Sequence, residues 1–227
     1  MEHKHKAFEI EKRAIFIVIL IFIVALVIEV GAHFLFFKSS GLILKYSLWF
    51  LYLNLSIAFL SGSVWYFLAY KVKINCMTGM MIGMTLGMQS GMMIGAIIGA
   101  TNGFFVGAMT GTIIGVGIGL WAGLYSKTTM GALQGMMSGI MGGTMGPMIS
   151  VMMFSDHIKI FMPIYMLINV AILVVMSYMF YEEAVKDNAE EYQQAPIDIL
   201  STLLVTIIIT LILISIILFL PRSAFLI

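Results

Sequence analysis

The chain has little charge, and this scarcity limits its class more than any single motif does. Only 10% of its 227 residues are charged and 61% are hydrophobic, whereas a soluble domain carries about 25% charged residues. So few charges cannot cover the water-facing surface of a soluble chain of this size. The net charge is +1 without a clustered basic face, which argues against a nucleic-acid partner.

Cysteine and the common catalytic motifs are also scarce or missing. Cys76 is the only cysteine, so an intrachain disulfide and a CxxC metal or redox site are both excluded. The sequence contains no HExxH, no phosphate-cradling glycine loop and no Ser-His-Asp set. We therefore expect that the protein is not an enzyme.

Long apolar runs are abundant, and they predict an all-α, polytopic transmembrane helical bundle. Seven segments are long enough to cross a hydrocarbon core of about 30 Å at about 1.5 Å per residue. They are Ala14–Phe37, Tyr46–Tyr70, Met77–Ala100, Gly103–Tyr125, Thr129–Phe154, Ile160–Tyr181 and Ile197–Leu220. The third and fourth are separated only by an uncharged Asn-Gly hairpin, and Pro147 could kink or end the fifth. Six spans are therefore an alternative to seven, and we favour seven.

The distribution of lysine and arginine predicts how the bundle is oriented in a cell membrane. With the N-terminus in the cytoplasm, the inner side holds eight of these residues and the outer side four, as the positive-inside rule requires. Residues 1–13 then form a cytoplasmic N-terminal segment, 14–227 form one transmembrane domain in the lipid bilayer, and the C-terminus lies outside. The loop 182–198 is acidic.

Glycine recurs every fourth residue through the middle of the chain. Sixteen glycines follow this spacing from Gly79 to Gly143, and only Lys127 interrupts the series. Glycine costs a helix about 1 kcal/mol relative to alanine. Sixteen glycines at one spacing therefore need a structural reason. Small residues four apart let membrane helices approach until their backbones touch. Because a four-residue step turns about 400°, the glycines cannot all face one neighbour. We expect spans three to five to form a tight centre, surrounded by spans one, two, six and seven.

Methionine is concentrated in the same region. Of 21 methionines, 16 lie between Met77 and Met153. The word GMMxG occurs at residues 79–83, 91–95 and 135–139, which indicates a repeat between the parallel spans three and five. The Gly/Met-rich core therefore extends over residues 76–154.

These methionines have spacings that suit a soft monovalent ion such as Cu(I) or Ag(I), which neutral sulfur ligands bind well. MxxxM occurs at Met80/Met84, Met84/Met88 and Met88/Met92, and in this the sequence is similar to the copper transporter family, whose members carry MxxxM and GxxxG on their spans. Those transporters have three spans and a Met-rich outer N-terminus, which this chain lacks. The central stretch also resembles small Met- and Gly-rich prokaryotic membrane proteins to which no activity is attached. The candidate metal ligands are Met77, Met80, Met84, Met88, Met92, Met136, Met141, Met145 and Cys76.

Two other interpretations stay open. Methionine commonly fills irregular grooves beside glycine, so the protein could be a non-catalytic subunit that packs through its GxxxG faces in a homo-oligomer or a larger membrane complex. Alternatively, Glu29 and His33 lie one helical turn apart near the outer end of the first span, where they could hold a metal or a proton for a channel or carrier. The simpler interpretation is that the two side chains pair with each other near the outer membrane interface. Gln89 and Asn102 are amides that could face a central cavity.

Overall fold

A computed structural model describes residues 12–28, 42–71, 74–186, 193–194 and 199–219, and these residues form seven α-helices. The first, α1, spans residues 12–28. The others are α2 (Leu42–Ala69), α3 (Cys76–Asn102), α4 (Phe104–Tyr125), α5 (Thr129–Met152), α6 (Ile158–Phe180) and α7 (Ile199–Phe219). Apart from these, a 3-10 turn (Met153–Ser155) follows α5, a π-helical turn (Tyr181–Lys186) follows α6, and two short strands, β1 (Tyr70–Lys71) and β2 (Gln193–Gln194), pair antiparallel.

The predicted all-α class and the separation into seven helices are both confirmed. The hairpin between α3 and α4 is tighter than expected, because Gly103 alone takes a left-handed φ of 96° while Asn102 still belongs to α3. Pro147 does not end α5, since the helix continues to Met152.

Four helical stretches in the described part of the chain are long and apolar enough to cross a membrane. They are Leu48–Ala69, Cys76–Asn102, Phe104–Tyr125 and Ile158–Glu183. The fifth predicted span is a helix of 24 residues, but it is not among these four. Its composition explains this, because one side of α5 consists of glycine, alanine, serine and proline.

Alternate connections of the bundle meet at one end. The β1–β2 pair joins the end of α2 to the segment before α7. Thr78, near the start of α3, donates to Glu183 at a distance of 3.0 Å. Next to it, Gly79 lies against Ser126 in the α4–α5 turn. The connections α2–α3, α4–α5 and α6–α7 therefore lie together, as the predicted up-and-down order requires.

The expected enclosure of α3–α5 by the other helices is wrong in one respect. Among the described helices only α3 is central, because it packs against α4 and α5 and also against α2, α6 and α7. The main contacts of α4 and α5 are with each other and with α3, and their outer surfaces are exposed. Sequence periodicity indicates a small-residue face but does not indicate what covers the opposite face.

Candidate functional site: the glycine cluster and its methionine seam

The glycines of α3, α4 and α5 form one cluster in which the three backbones touch. A Cβ added to Gly111 of α4 would lie 3.0 Å from the carbonyl oxygens of both Gly91 in α3 and Gly143 in α5. One added to Gly87 of α3 would lie 2.6 Å from the carbonyl oxygen of Gly135 in α5. Single glycines thus contact two helices at once, as the drift of the four-residue stripe predicts.

The interface between α4 and α5 contains almost no side chain. Of the seven buried residues of α4, five are glycine and the other two are Val106 and Ala122. The ten buried residues of α5 are glycine, alanine, serine or proline. Gly119 and Gly135 face each other across this antiparallel interface, so a Cβ on either would overlap the backbone of the other. Close backbone approach of this kind allows van der Waals packing and Cα–H···O contacts to hold the helices together.

Pro147 contributes to the same cluster. Its ring has no N–H, so the carbonyl oxygen of Gly143, four residues earlier, lacks its helical donor. That oxygen is the one that faces Gly111 of α4. Pro147 itself packs against α3, since a Cβ on Gly99 would lie 2.7 Å from its Cα. The proline therefore serves contacts with both neighbouring helices without terminating α5.

The methionines of α5 face away from the glycine cluster. They are exposed by 37–64%, and they are Met130, Met136, Met137, Met141, Met145, Met148 and Met152. On α3, the side chains at the start of the helix are also exposed, Met77 by 73% and Met84 by 40%. The interior between the three helices is filled by backbone, so methionines do not line it.

Methionines of α3 and α5 do converge at the edge where these two parallel helices meet. A Cβ on Gly142 would contact the backbone of Met88, and one on Gly146 would lie 2.9 Å from the Cα of Met92. Met141 and Met145 directly precede those two glycines. Because each residue turns the helix by about 100°, both methionines lie beside the α3 contact of α5, on the side away from α4. We call the edge formed by Met84, Met88, Met92, Met141 and Met145 the methionine seam.

The remaining candidate ligands do not join this seam at the same level. Met136 is separated from Met141 by about 140° around α5, so it lies on the α4 side. Cys76 and Met77 are exposed at the first turn of α3, and Met80 continues from them towards Met84. In the described residues no group of three His, Cys, Asp or Glu side chains could hold a metal ion. Glu29 and His33 lie outside the described residues, so their role stays a prediction.

Sequence reasoning missed Gly142 and Gly146, which create the seam. They stand outside the main glycine series by one residue, and they form a second pair four residues apart. The sequence did contain a signal for this second close contact, namely a second pair of glycines with the four-residue spacing, offset by one position from the main series.

Asn102, one of the two amides that could face a central cavity, is hydrogen-bonded to neighbouring groups instead. Asn102 donates to the carbonyl oxygen of Ile217 in α7 at 3.3 Å and its own oxygen accepts from Thr101 at 2.8 Å. Gln89 is 3% exposed, and its Oε1 has no hydrogen-bond partner among the described residues.

One ionisable pair is visible at the opposite end of the bundle from the α2–α3 connection. In the turn between α5 and α6, Nδ1 of His157 lies 2.6 Å from the carboxylate of Asp156, and the backbone N–H of His157 donates to the same oxygen at 2.9 Å. These bonds, the side-chain one first, lower the pKa of the Asp156 carboxyl below its ordinary value. The pair leaves Nε2 of His157 facing away from the carboxylate.

No family model, curated protein or solved structure matches this chain.

Proposed function

We propose that the chain is a multi-pass membrane protein that binds a soft monovalent metal ion, Cu(I) or Ag(I), along the methionine seam between α3 and α5. The observation that carries the proposal is the register of the two helices. Met88 and Met92 stand beside Gly142 and Gly146, so two ladders of thioethers with the same four-residue step flank one edge. Thioether sulfur is a ligand that selects Cu(I) over hard divalent ions.

The glycine cluster supplies the support that such a seam needs. A ligand set works best on rigid elements whose spacing is held by their own packing. Backbone contact between α3 and α5 gives the closest spacing that two helices can have, and α4 supports both from the far side. The same contacts leave no passage between the three helices, so the ion would move along the outer edge and not through the middle of the cluster.

The embedding in a membrane is part of the proposal. Four long apolar stretches support it, and so do the exposed outer faces of α6 and α7, which carry Ile, Leu and Val at up to 69% exposure. We place the end that holds the α2–α3 and α6–α7 connections in the cytoplasm, because the positive-inside count favours it. The turn with Asp156 and His157 is then on the outer side.

Metal retention by the purified protein tests the seam. We would change Met84, Met88, Met141 and Met145 to Leu, which nearly conserves volume, and load the protein with Ag(I) or Cu(I) under reducing conditions. The matched control changes two exposed methionines on the α4 side, Met109 and Met136, to Leu. We expect the parent and the control to retain the metal and the seam variant to lose it.

X-ray absorption of the loaded parent should show a first coordination sphere of sulfur alone, because no imidazole or carboxylate of the described residues lies in the seam. A parent without bound metal would contradict the proposal. Equal retention by the seam variant and the control would contradict it as well.

A second candidate function is an assembly subunit, and Gly117 favours it. This glycine is exposed on α4, out of phase with the others, and a Cβ there would meet nothing within 4 Å. It lies between Ile113 and Trp121, one turn away on either side, which are exposed by 66% and 39%. A glycine between two bulky outward side chains is a notch that a helix of a second copy would fit.

Oligomeric state tests this second function. Gly117→Leu fills the notch without touching the internal cluster, so it should convert an oligomer in mild detergent into a monomer while leaving the helix content unchanged. Gly117→Ala serves as the milder control. An unchanged mass for the Leu variant, or a parent that is already monomeric, would exclude assembly through this face.

A further inference from the structure

The methionines of α5 form a stripe that continues beyond the methionine seam to the C-terminal end of the helix. Met141, Met145, Met148 and Met152 follow one another at spacings of four, three and four residues. They therefore lie within a sector of about 60° around α5, and successive side chains are about 4.5–6 Å apart along its axis. All four are exposed, by 45–64%. The last methionine of α3 is Met93, so the outer half of the stripe belongs to α5 alone.

The stripe ends at the turn between α5 and α6, and hydrogen bonds tie this turn to both helices. The N–H of Asp156 donates to the carbonyl oxygen of Met153 at 3.1 Å, so the chain folds back within one turn of Met152. The carbonyl oxygen of His157 accepts from the N–H of Ile160 at 3.0 Å. His157 therefore holds a fixed position directly after the end of the stripe.

The ring of His157 has the support that is usual for a metal ligand. Its Nδ1 lies 2.6 Å from the Asp156 carboxylate, and histidines that bind a metal through one ring nitrogen commonly donate the other N–H to a carboxylate. The side chain is 82% exposed, and Nε2 faces away from Asp156. Imidazole and thioether are both copper ligands, and the thioether favours Cu(I). The turn therefore offers a soft ion one nitrogen ligand next to the last sulfur ligand of the stripe, Met152.

We propose that Nε2 of His157 and the thioether of Met152 form an outer terminal site for Cu(I) or Ag(I), from which the ion passes along Met148 to the methionine seam. The proposal rests on the function proposed above, because it gives the seam an opening to one side of the membrane. The outer site must release its ion to the seam, so it binds more weakly. It fills only while free metal is present, whereas the ion that is retained after washing stays in the seam, on sulfur alone.

Binding of Ag(I), which takes the same ligands as Cu(I), tests the outer site in detergent micelles. With histidine labelled at its ring nitrogens, the Nε2 signal of His157 should shift when Ag(I) is added beyond the amount that the seam retains. Equilibrium dialysis at one free Ag(I) concentration should give one bound ion fewer for His157→Ala and for Met152→Leu than for the parent. His157→Met should bind this ion again, because it replaces the imidazole with a thioether. Asp156→Ala should weaken the site by about 10–100-fold, because it releases the ring.

Lys159→Ala in the same turn and Met109→Leu on α4 are the matched controls, because both side chains are exposed and neither belongs to the stripe. They should bind as many ions as the parent does. An Nε2 signal that does not shift would overturn the outer site and leave the seam untouched. The same number of ions in His157→Ala as in the parent would do so too.

The seam variant separates this proposal from the one on which it rests. It should lose the metal that is retained after washing and still show the shift of the His157 signal. Retention equal to that of the parent would refute the seam, and with it the terminal role of His157. A seam variant that loses the metal and the shift together would mean that no separate outer site exists.

Discussion

Two interfaces of this bundle hold helices together in opposite ways. Between α4 and α5, Gly119 faces Gly135 and backbone meets backbone. Where α6 meets the end of α2 and the adjoining β1, the ring of Phe180 lies 5.4 Å from that of Phe67 and 5.9 Å from that of Tyr70, in edge-to-face arrangements. The first interface should fail when atoms are added, and the second when atoms are removed.

In the membrane embedding proposed above, the difference follows from what drives helix association when the surrounding solvent is lipid. Apolar side chains gain little by leaving hydrocarbon for another apolar surface, so contact density decides the strength of an interface. Glycine reaches high density by removing side chains, at a conformational cost of about 1 kcal/mol per residue relative to alanine. Aromatic rings reach it by filling space, and edge-to-face pairs add about 0.5–1.5 kcal/mol.

The largest effect is expected from adding one methyl group to the glycine cluster. In Gly119→Ala the new Cβ would overlap the Gly135 carbonyl, so α4 and α5 must separate, which should lower the free energy of unfolding by about 3 kcal/mol. Gly117→Ala, two residues away on the same helix, adds its methyl to open space and should raise stability by up to about 1 kcal/mol. Unfolding in mixed micelles measures both. Equal effects of the two variants would contradict backbone contact at Gly119.

The second effect should come from removing a ring at the other interface. Phe180 is 1% exposed, so Phe180→Ala leaves a cavity among the rings of α2. We expect a loss of about 2 kcal/mol, below the 3–5 kcal/mol of soluble cores, because an unfolded chain that stays in lipid regains the transfer term. Tyr178→Ala on the exposed side of α6 is the control and should be nearly neutral in the same titration. A loss in Tyr178→Ala as large as that in Phe180→Ala would mean that the rings do not lock this interface.

A smaller effect is expected where the two regions are joined. Thr78 of the glycine-rich α3 donates to Glu183 after α6 at 3.0 Å, so Thr78→Val should cost about 1 kcal/mol. A double-mutant cycle with Glu183→Ala isolates this pair, because alanine removes the acceptor. Thr85→Val is the control on the same helix, since the hydroxyl of Thr85 donates to the carbonyl oxygen of Met81 in its own helix, at 2.8 Å. A zero coupling energy would show that the bond does not connect the regions in solution.

These two regions also differ in how far the sequence predicts them. The four-residue glycine period predicts the α3–α4–α5 contact because its meaning is local, since each glycine reports on its own helix face. It does not predict that α4 and α5 lie at the surface, which depends on α2, α6 and α7. The contact of Phe180 with Phe67 joins residues far apart in the chain, and no periodic pattern in the sequence predicts it.

The candidate site shows the same division. The methionine spacing predicts ladders on α3 and α5, and the repeat of GMMxG predicts that the two helices are related. Which methionines share an edge depends on the register between the helices, and that register is set by Gly142 and Gly146. Met136 lies on another side of α5, about 140° from Met141. A one-helix pattern cannot distinguish it from Met141.

The smallest expected effect lies in the polar turn that joins the two kinds of helix, α5 and α6. The hydrogen bonds from His157 lower the pKa of Asp156, so the Asp156 carboxyl should titrate below an ordinary aspartate, which has a pKa of about 3.9. A group with a lowered folded-state pKa contributes stability above the ordinary pKa, and this contribution is lost as the pH falls through the folded value. The carboxylate is fully exposed, so the gain is small. Carbon NMR of labelled aspartate in micelles follows the titration, and His157→Ala should return the pKa only part of the way, because the backbone N–H of residue 157 remains a donor. A carboxyl that titrates at its ordinary value in the parent would mean that the turn does not keep this geometry.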